Sequence, residues 1–249
     1  MYRLPLFWSK RYSHVRWLMV LTCLYKENVK IKVKKEDKRN MKLILLGPPA
    51  AGKGTQAERI KERYSLAHIS TGDMLRAEIA KKTALGLRAK ALIDDGNLVP
   101  DDVVNEMVKV RIAQEDCKNG FLLDGYPRTI EQAKVLASLA EIDAVLDIDV
   151  DAEIIVDRVA ARRVCPQCKH SQTVHSGEEE VCAKCGAQLI RRPDDTPESM
   201  RHRLEVYRER TYPLIEFYRD RNLLVRIDGS QTVPEVSKQI FDFIDSKIS

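Results

Sequence analysis

The sequence predicts an α/β protein built on a doubly wound, five-stranded parallel sheet, and three observations carry that reading. Five apolar runs of strand length recur along the chain, most of them apolar through their centre, as strands covered on both faces must be. Segments with helical spacing separate these runs, and parallel strands need such crossovers. The first run ends in a glycine-rich turn that leads straight into a helix, and open parallel sheets build their sites at such strand ends.

In chain order, MKLILLG (41–47) is the first strand. KGTQAERIKERY (53–64) follows as a helix, with Ala57, Ile60 and Tyr64 on one face. AHIS (67–70), FLLDG (121–125), AVLDIDV (144–150) and LLVRIDG (223–229) are the remaining strands. Residues 103–115, 131–140 and 151–163 read as amphipathic helices, and 196–221 as one long helix. Thr196 caps that long helix, Pro197 lies in its first turn and Pro213 bends it. Thr232 and Glu235 fit a capping box at the start of a final helix. Two stretches break the rhythm: 70–99 is helical without a strand, and 164–193 is short of apolar residues and rich in Cys and Gly.

Charge is distributed unevenly. Residues 1–40 hold 11 Lys/Arg against 3 Asp/Glu, whereas the other 209 residues hold 31 against 34. A body so close to neutral does not present a general nucleic-acid surface. The basic extension, 1–40, is expected to lie outside the fold. Its apolar run RWLMVLTCLY is shorter than the roughly 20 residues that span a bilayer, and no small-residue cleavage site follows. It reads first as a leader ahead of a start at Met41, with a basic targeting arm or a secretory signal as alternatives. Of six cysteines, Cys23 and Cys117 stand alone and the other four form two CxxC pairs, which in such a chain favour metal over disulfide.

GPPAAGK (47–53) satisfies G-x-x-x-x-G-K between a strand and a helix, the context that makes it a phosphate-binding P-loop. Small residues let successive backbone N–H groups approach a polyphosphate, the helix N-terminus adds its positive end, and Lys53 reaches the outer phosphates. Gly54 stands where the general pattern has Ser or Thr, with Thr55 one place later. Ala50 occupies a position where many such loops carry glycine. If that position needs positive φ, alanine costs roughly 1 kcal/mol.

The GKGT ending resembles the nucleoside monophosphate kinases, whose loop reads G-x-P-G-x-G-K-G-T; Pro49, Gly52, Lys53, Gly54 and Thr55 match it and Ala50 departs from it. From Met41 onwards, STGDMLR (70–76), GFLLDGYPRT (120–129), AARRVC (160–165) and RRPDDTPESMRHRL (191–204) are similar in order and spacing to motifs of the adenylate kinase family with a long lid. The resemblance implies Mg·ATP + AMP ⇌ 2 ADP. It implies a core of 41–69, 100–161 and 196–249, an AMP-binding insertion at 70–99 and a lid at 162–195.

The same resemblance assigns residues. Ala50, Ala51, Gly52, Lys53, Gly54, Thr55, Arg158 and Gln231 would bind ATP, with Arg158 stacked on its adenine and Asp124 organising Mg²⁺. Thr71, Arg76, Asn97, Leu98, Val99, Gly125, Tyr126, Pro127, Arg128 and Gln132 would bind AMP, together with Arg192 and Arg203. Lys53, Asp124, Arg128, Arg162, Arg192 and Arg203 would carry catalysis. Arginine suits this work because its planar fork grips phosphate oxygens in pairs. Asp194 and Asp195 are expected to pair with lid arginines, and Arg163, Arg191 and Arg201 to be solvated helix charges.

Cys165, Cys168, Cys182 and Cys185 form C-x₂-C-x₁₃-C-x₂-C, which supplies four thiolates for a tetrahedral Zn²⁺. Four thiolates leave no position for chemistry, so the zinc is expected to be structural, holding a segment that buries too little to fold alone. Where many zinc-lid relatives carry a Thr-Tyr pair after the first CxxC, this chain has Ser171 and Gln172. The expected setting is a cytoplasmic monomer with ATP, AMP and ADP as partners and neither nucleic acid nor membrane. Rival readings are a kinase for UMP, CMP or GMP, a zinc-ribbon nucleic-acid binder regulated by ATP, and a decayed kinase.

Overall fold

The computed structural model describes residues 40–168, 170–175, 177–192 and 195–248. The extension 1–40, apart from Asn40, lies outside the described residues, as do Cys23 and Asp194. Five parallel strands form one sheet in the order β2-β3-β1-β4-β7: β1 (Met41–Leu46), β2 (Ala67–Ser70), β3 (Gly120–Asp124), β4 (Ala144–Asp149) and β7 (Leu224–Asp228). β1 is central, with Leu45 beside Asp124 of β3 and Leu46 beside Asp147 of β4. Ser70 of β2 also aligns with Asp124. The strand ends that bear the predicted site therefore lie side by side.

Two apolar layers cover the sheet. One packs Leu43, Leu45, Leu122, Leu146 and Ile148 against α1 (Lys53–Tyr64), α6 (Ala152–Ala161) and α9 (Val233–Ile248). The other packs Ile44, Leu46, Leu123 and Val145 against α4 (Asp101–Ile112), α5 (Ile130–Leu139) and α8 (Pro213–Arg219). Each fully buried aliphatic side chain contributes about 1.5–3 kcal/mol, so this double cover is what holds the strand ends in register. Two further helices, α2 (Thr71–Ala80) and α3 (Ala84–Asp94), form the strandless excursion after β2.

Several helices differ from expectation at their ends. α6 stops at Ala161, because Arg162–Val164 is a strand, β5, paired antiparallel with β6 (Ser171–Thr173). Arg162 therefore stands on the hairpin rather than on a helix. The long helix is three pieces: α7 (Pro197–Val206), a π-helical turn (Tyr207–Thr211) and α8. The widening follows from Pro213, which cannot donate a hydrogen bond; Tyr212 N instead reaches Tyr207 O at 2.8 Å. At α9 the expected capping box is half made: Glu235 accepts from Thr232 N at 3.0 Å and from the Thr232 hydroxyl at 2.6 Å, so the hydroxyl donates to the carboxylate.

Candidate active site

The loop between β1 and α1 is wound from residues of unusual backbone: Gly47, Ala50 and Gly52 have φ of 135°, 61° and 92°. Ala50 thus does sit in the left-handed region, where an L-residue is strained by about 1–2 kcal/mol. Gly52, the N-cap of α1, supplies no side-chain cap, which leaves first-turn N–H groups for an anion. Lys53 bends back so that Nζ donates to the carbonyls of Gly47 and Pro48, both at 2.7 Å. Burial lowers its pKa to about 8, and Arg128, Arg203 and Arg162 push the same way against Asp124. The ammonium is short of negative charge, the condition of a group built to meet a polyphosphate.

Asp124 ends β3 beside this lysine. Burial pushes its carboxyl pKa up, but His68, Lys53 and Arg128 outweigh burial and hold it below the ordinary value. His68 Nε2 lies 3.7 Å from Asp124 Oδ2, too long for a hydrogen bond, and is a buried nitrogen with no partner. Its Nδ1 faces Glu58 at 3.4 Å. A carboxylate kept ionised at the cleft wall is the oxygen donor a hard divalent cation needs, so the residues present fit Mg²⁺.

Asp195, only 1% exposed, organises the arginines. Arg162 grips it with two nitrogens, Nε at 2.7 Å, and Arg203 approaches the same carboxylate at 3.7 Å. The expected pairing of Asp195 with a lid arginine is therefore present. Arg128 Nε donates to Gly125 O at 2.8 Å, Arg76 pairs with Asp73 at 2.6 Å, and Arg158 donates to Gly229 O at 2.8 Å. The last bond joins α6 to the loop that carries Gln231, itself held by Asp228 at 3.0 Å.

These groups converge on one cleft of about 1220 Å³, larger than the roughly 300–1,000 Å³ of a single-ligand pocket. Ala50 to Thr55, Asp124, Arg158, Arg162, Arg192, Arg203 and Gln231 line it, as do Thr71, Arg76, Asn97 to Val99, Gly125, Pro127, Arg128 and Gln132. Tyr126 does not. Its side chain is wholly buried, donating to Asn105 at 2.7 Å, so any contribution to a nucleotide must come from its backbone. Gln132 accepts from Arg128 N and donates to Asp101, both at 2.7 Å, which fixes its amide orientation and leaves one N–H and one lone pair for a ligand. Arg163 pairs with Glu180 and Arg201 with Glu198, and with Arg191 they stand outside the cleft lining.

The four cysteines of the hairpin region gather their sulfurs within 4.8 Å of one another. Sγ of Cys165 lies 3.4 Å from that of Cys185, and Cys168 lies 3.6 Å from Cys182. A tetrahedral ion with bonds of about 2.3 Å spaces sulfurs by roughly 3.8 Å, so the donor set fits a metal of the zinc type. The local apolar core is tiny, Cys165, Val174, Cys182 and Leu189. Gln172 ties the two knuckles: Oε1 accepts from Ala183 N at 3.0 Å and Nε2 donates to Val181 O at 3.2 Å. Ser171, Gln172 and Lys184 face the cleft.

Residues 45–223 match the family model described as adenylate kinase. The chain belongs to the adenylate kinase family. An adenylate kinase of Clostridium tetani is 50% identical over 208 residues, 80% of this chain and 96% of the relative. One of Clostridium perfringens is 47% identical over 214 residues, 83% of this chain and 99% of the relative. A third, from a Thermoanaerobacter species, is 49% identical over 208 residues, 80% and 96% of the two chains. As a member of the adenylate kinase family the chain is a phosphotransferase of the nucleoside monophosphate kinase class.

Two residues have no place in the motifs: His68, which lines the cleft beside Asp124, and Asp101, which holds Thr129 and Gln132. The signal for His68 was a titratable side chain inside a short apolar strand. Asp101 carried none beyond a first-turn acid after Pro100.

Replacing Ala50 by Gly should raise unfolding stability by about 0.5–1 kcal/mol, because relief of left-handed strain is partly offset by the extra freedom of glycine in the unfolded chain. Denaturant unfolding checks this; a less stable variant would mean that Ala50 is unstrained.

Proposed function

We propose that the chain is an adenylate kinase, moving the terminal phosphoryl group of Mg·ATP to AMP to give two ADP. The observation that carries this is the single cleft with the phosphate loop at one end, the Thr71–Gln132 pocket at the other and arginines between them. In this reading 70–99 is the AMP-binding insertion, 162–195 the lid, and the rest of 41–249 the core. The loop N–H groups and Lys53 hold the donor polyphosphate, Arg158 packs on its adenine, and Gln231 stands by the base. Arg76 and Arg128 hold the acceptor phosphate; Thr71, Gln132 and the backbone of Asn97–Val99 and Gly125–Pro127 enclose its base.

The acceptor phosphate oxygen attacks the γ-phosphorus as the β–γ bridging bond breaks, and the bond electrons leave with ADP. No protein group becomes covalently attached. Charge spreads over the transferring oxygens, so the chain's contribution is positioning and neutralisation. Lys53, Arg128, Arg162, Arg192 and Arg203 supply the positive charge, and Asp124 is the residue that would hold Mg²⁺. The ion neutralises phosphate charge when bound. Arg162 and Arg203 are held off one another's charge by Asp195 until phosphate oxygens compete for them.

The lid metal is zinc, held by Cys165, Cys168, Cys182 and Cys185. A backbone N–H from Cys168 lowers the Cys165 thiol pKa, while at Cys185 a backbone N–H from Ala187 is outweighed by the neighbouring Cys165 and Cys168 sulfurs, which raise it, so metal binding must displace a proton from the pair. In the same reading the protein works as a cytoplasmic monomer with neither nucleic acid nor membrane as partner. The near-neutral charge of 41–249 supports the absence of a nucleic-acid partner, and no helix among the described residues is long and apolar enough to cross a membrane.

Steady-state rates with ATP and each of AMP, UMP, CMP and GMP test the assignment. AMP should lead by at least about tenfold in kcat/KM, and Lys53→Met should lower turnover by about 10²-fold or more with the fold intact. Preference for another monophosphate would overturn it. Metal analysis should give one zinc per chain, and chelation should melt the lid before the sheet. Unchanged melting of a metal-free sample would contradict a structural site.

A further inference from the structure

We propose that His202 is a positioning residue for the monophosphate site, tying the Asn97–Val99 segment to α7 so that this segment and Arg203 are held as one unit. The inference rests on the adenylate kinase reading and adds to it a residue that does not line the cleft.

The tie begins with the way α3 ends. Asn97 N donates to Leu92 O at 2.7 Å and Gly96 N to Ile93 O at 3.1 Å, with Gly96 at φ 83°. That pair of bonds is the Schellman motif, which closes a helix through a left-handed glycine and turns the chain away from its axis. The same glycine is also a contact. A Cβ there would fall 2.9 Å from Arg203 Cγ, 3.2 Å from Ser199 O and 3.4 Å from His202 Cδ2, so bare backbone lies directly on α7. The next residue, Asn97, then meets α7 through its side chain: His202 Nε2 and Asn97 Oδ1 are 2.8 Å apart. An amide oxygen only accepts, so His202 donates from Nε2. Its Nδ1 faces Glu205 at 3.8 Å.

The positions on either side of the bond are what give it consequence. Beyond Asn97 come Leu98 and Val99, which line the cleft where the acceptor base is placed. Beyond His202 comes Arg203, 3.7 Å from the carboxylate that Arg162 grips. Pinning Asn97 to His202 therefore sets the distance between the base-binding backbone and the arginine that serves the transferred group. Losing the pin leaves the chemistry intact and lets the acceptor's seat drift. The donor site, built on the phosphate loop and Arg158, has no part in it.

The test uses the full chain with His202→Ala and His202→Gln. His202→Ala should raise the KM for AMP about three- to tenfold, the worth of one ordinary hydrogen bond, with kcat and the KM for ATP within about twofold. His202→Gln, whose amide can donate to Asn97, should restore most of the loss. In the ligand-free protein, amide hydrogen exchange at Asn97–Val99 should quicken in the Ala variant and recover in the Gln variant. An unchanged KM for AMP together with unchanged exchange would overturn the tie, as would equal rises in both KM values. A wild-type chain that ignores AMP would overturn the reading of the reaction instead, and the exchange comparison would still decide whether His202 holds the segment.

Discussion

Positive charge crowded into one buried space is the constraint on which the cleft depends. Lys53, Arg128, Arg162 and Arg203 crowd around a space deep enough that burial lowers the lysine pKa to about 8, and the three arginines add to that shift. Two carboxylates keep the arrangement from flying apart. Asp124 stands beside Lys53 at the end of β3, and Asp195 is shared by Arg162 and Arg203. Neither neutralises the whole set. A pair of nucleotide phosphate chains would, and such groups do most in the transition state, where phosphoryl charge is most spread.

The sheet makes this crowding possible. Four of the cleft's polar anchors leave strand ends on the same edge of the sheet: the phosphate loop follows β1, Thr71 follows β2, Asp124 ends β3 and Gln231 follows β7. Their spacing is set by the parallel register and by two apolar layers that tolerate little movement. The arginine-bearing hairpin has no such support. Its own core is four small or medium side chains, so four thiolates with the spacing to hold a metal gather where a larger domain would have apolar packing.

Much of this was legible because it is local. Buried parallel strands announce themselves as apolar runs, and all five lie within a residue or so of their expected bounds. The phosphate loop carried its own strand–turn–helix context, and Ala50 posed the question of a positive φ that the backbone at 61° answers. What was not legible depends on partners far along the chain. Arg162 continues a helical pattern but leaves it because Thr173 pairs with it across the hairpin. The π-helical turn before Pro213 needs the proline's missing donor to be weighed against continued packing of Leu214 and Tyr218. Asp101 acts by holding Thr129 and Gln132, and no motif spacing marks a residue that works through its neighbour.

If the cleft holds unbalanced positive charge, binding a nucleotide must change protonation as well as fill space. Burial lowers the Lys53 pKa to about 8 from an ordinary 10.5, so the free lysine gives up part of its proton near pH 8.5, and a bound polyphosphate favours its return. The direct measurement is calorimetry of ATP binding in buffers of different ionisation enthalpy, on the wild type and on Lys53→Arg. Wild type should take up roughly 0.7 proton per nucleotide at pH 8.5 and only about 0.1 through this group at pH 7, and the arginine variant should take up essentially none at pH 8.5. Equal and negligible uptake by both proteins at pH 8.5 would contradict the claim, because Lys53 would then be fully charged before any phosphate arrived.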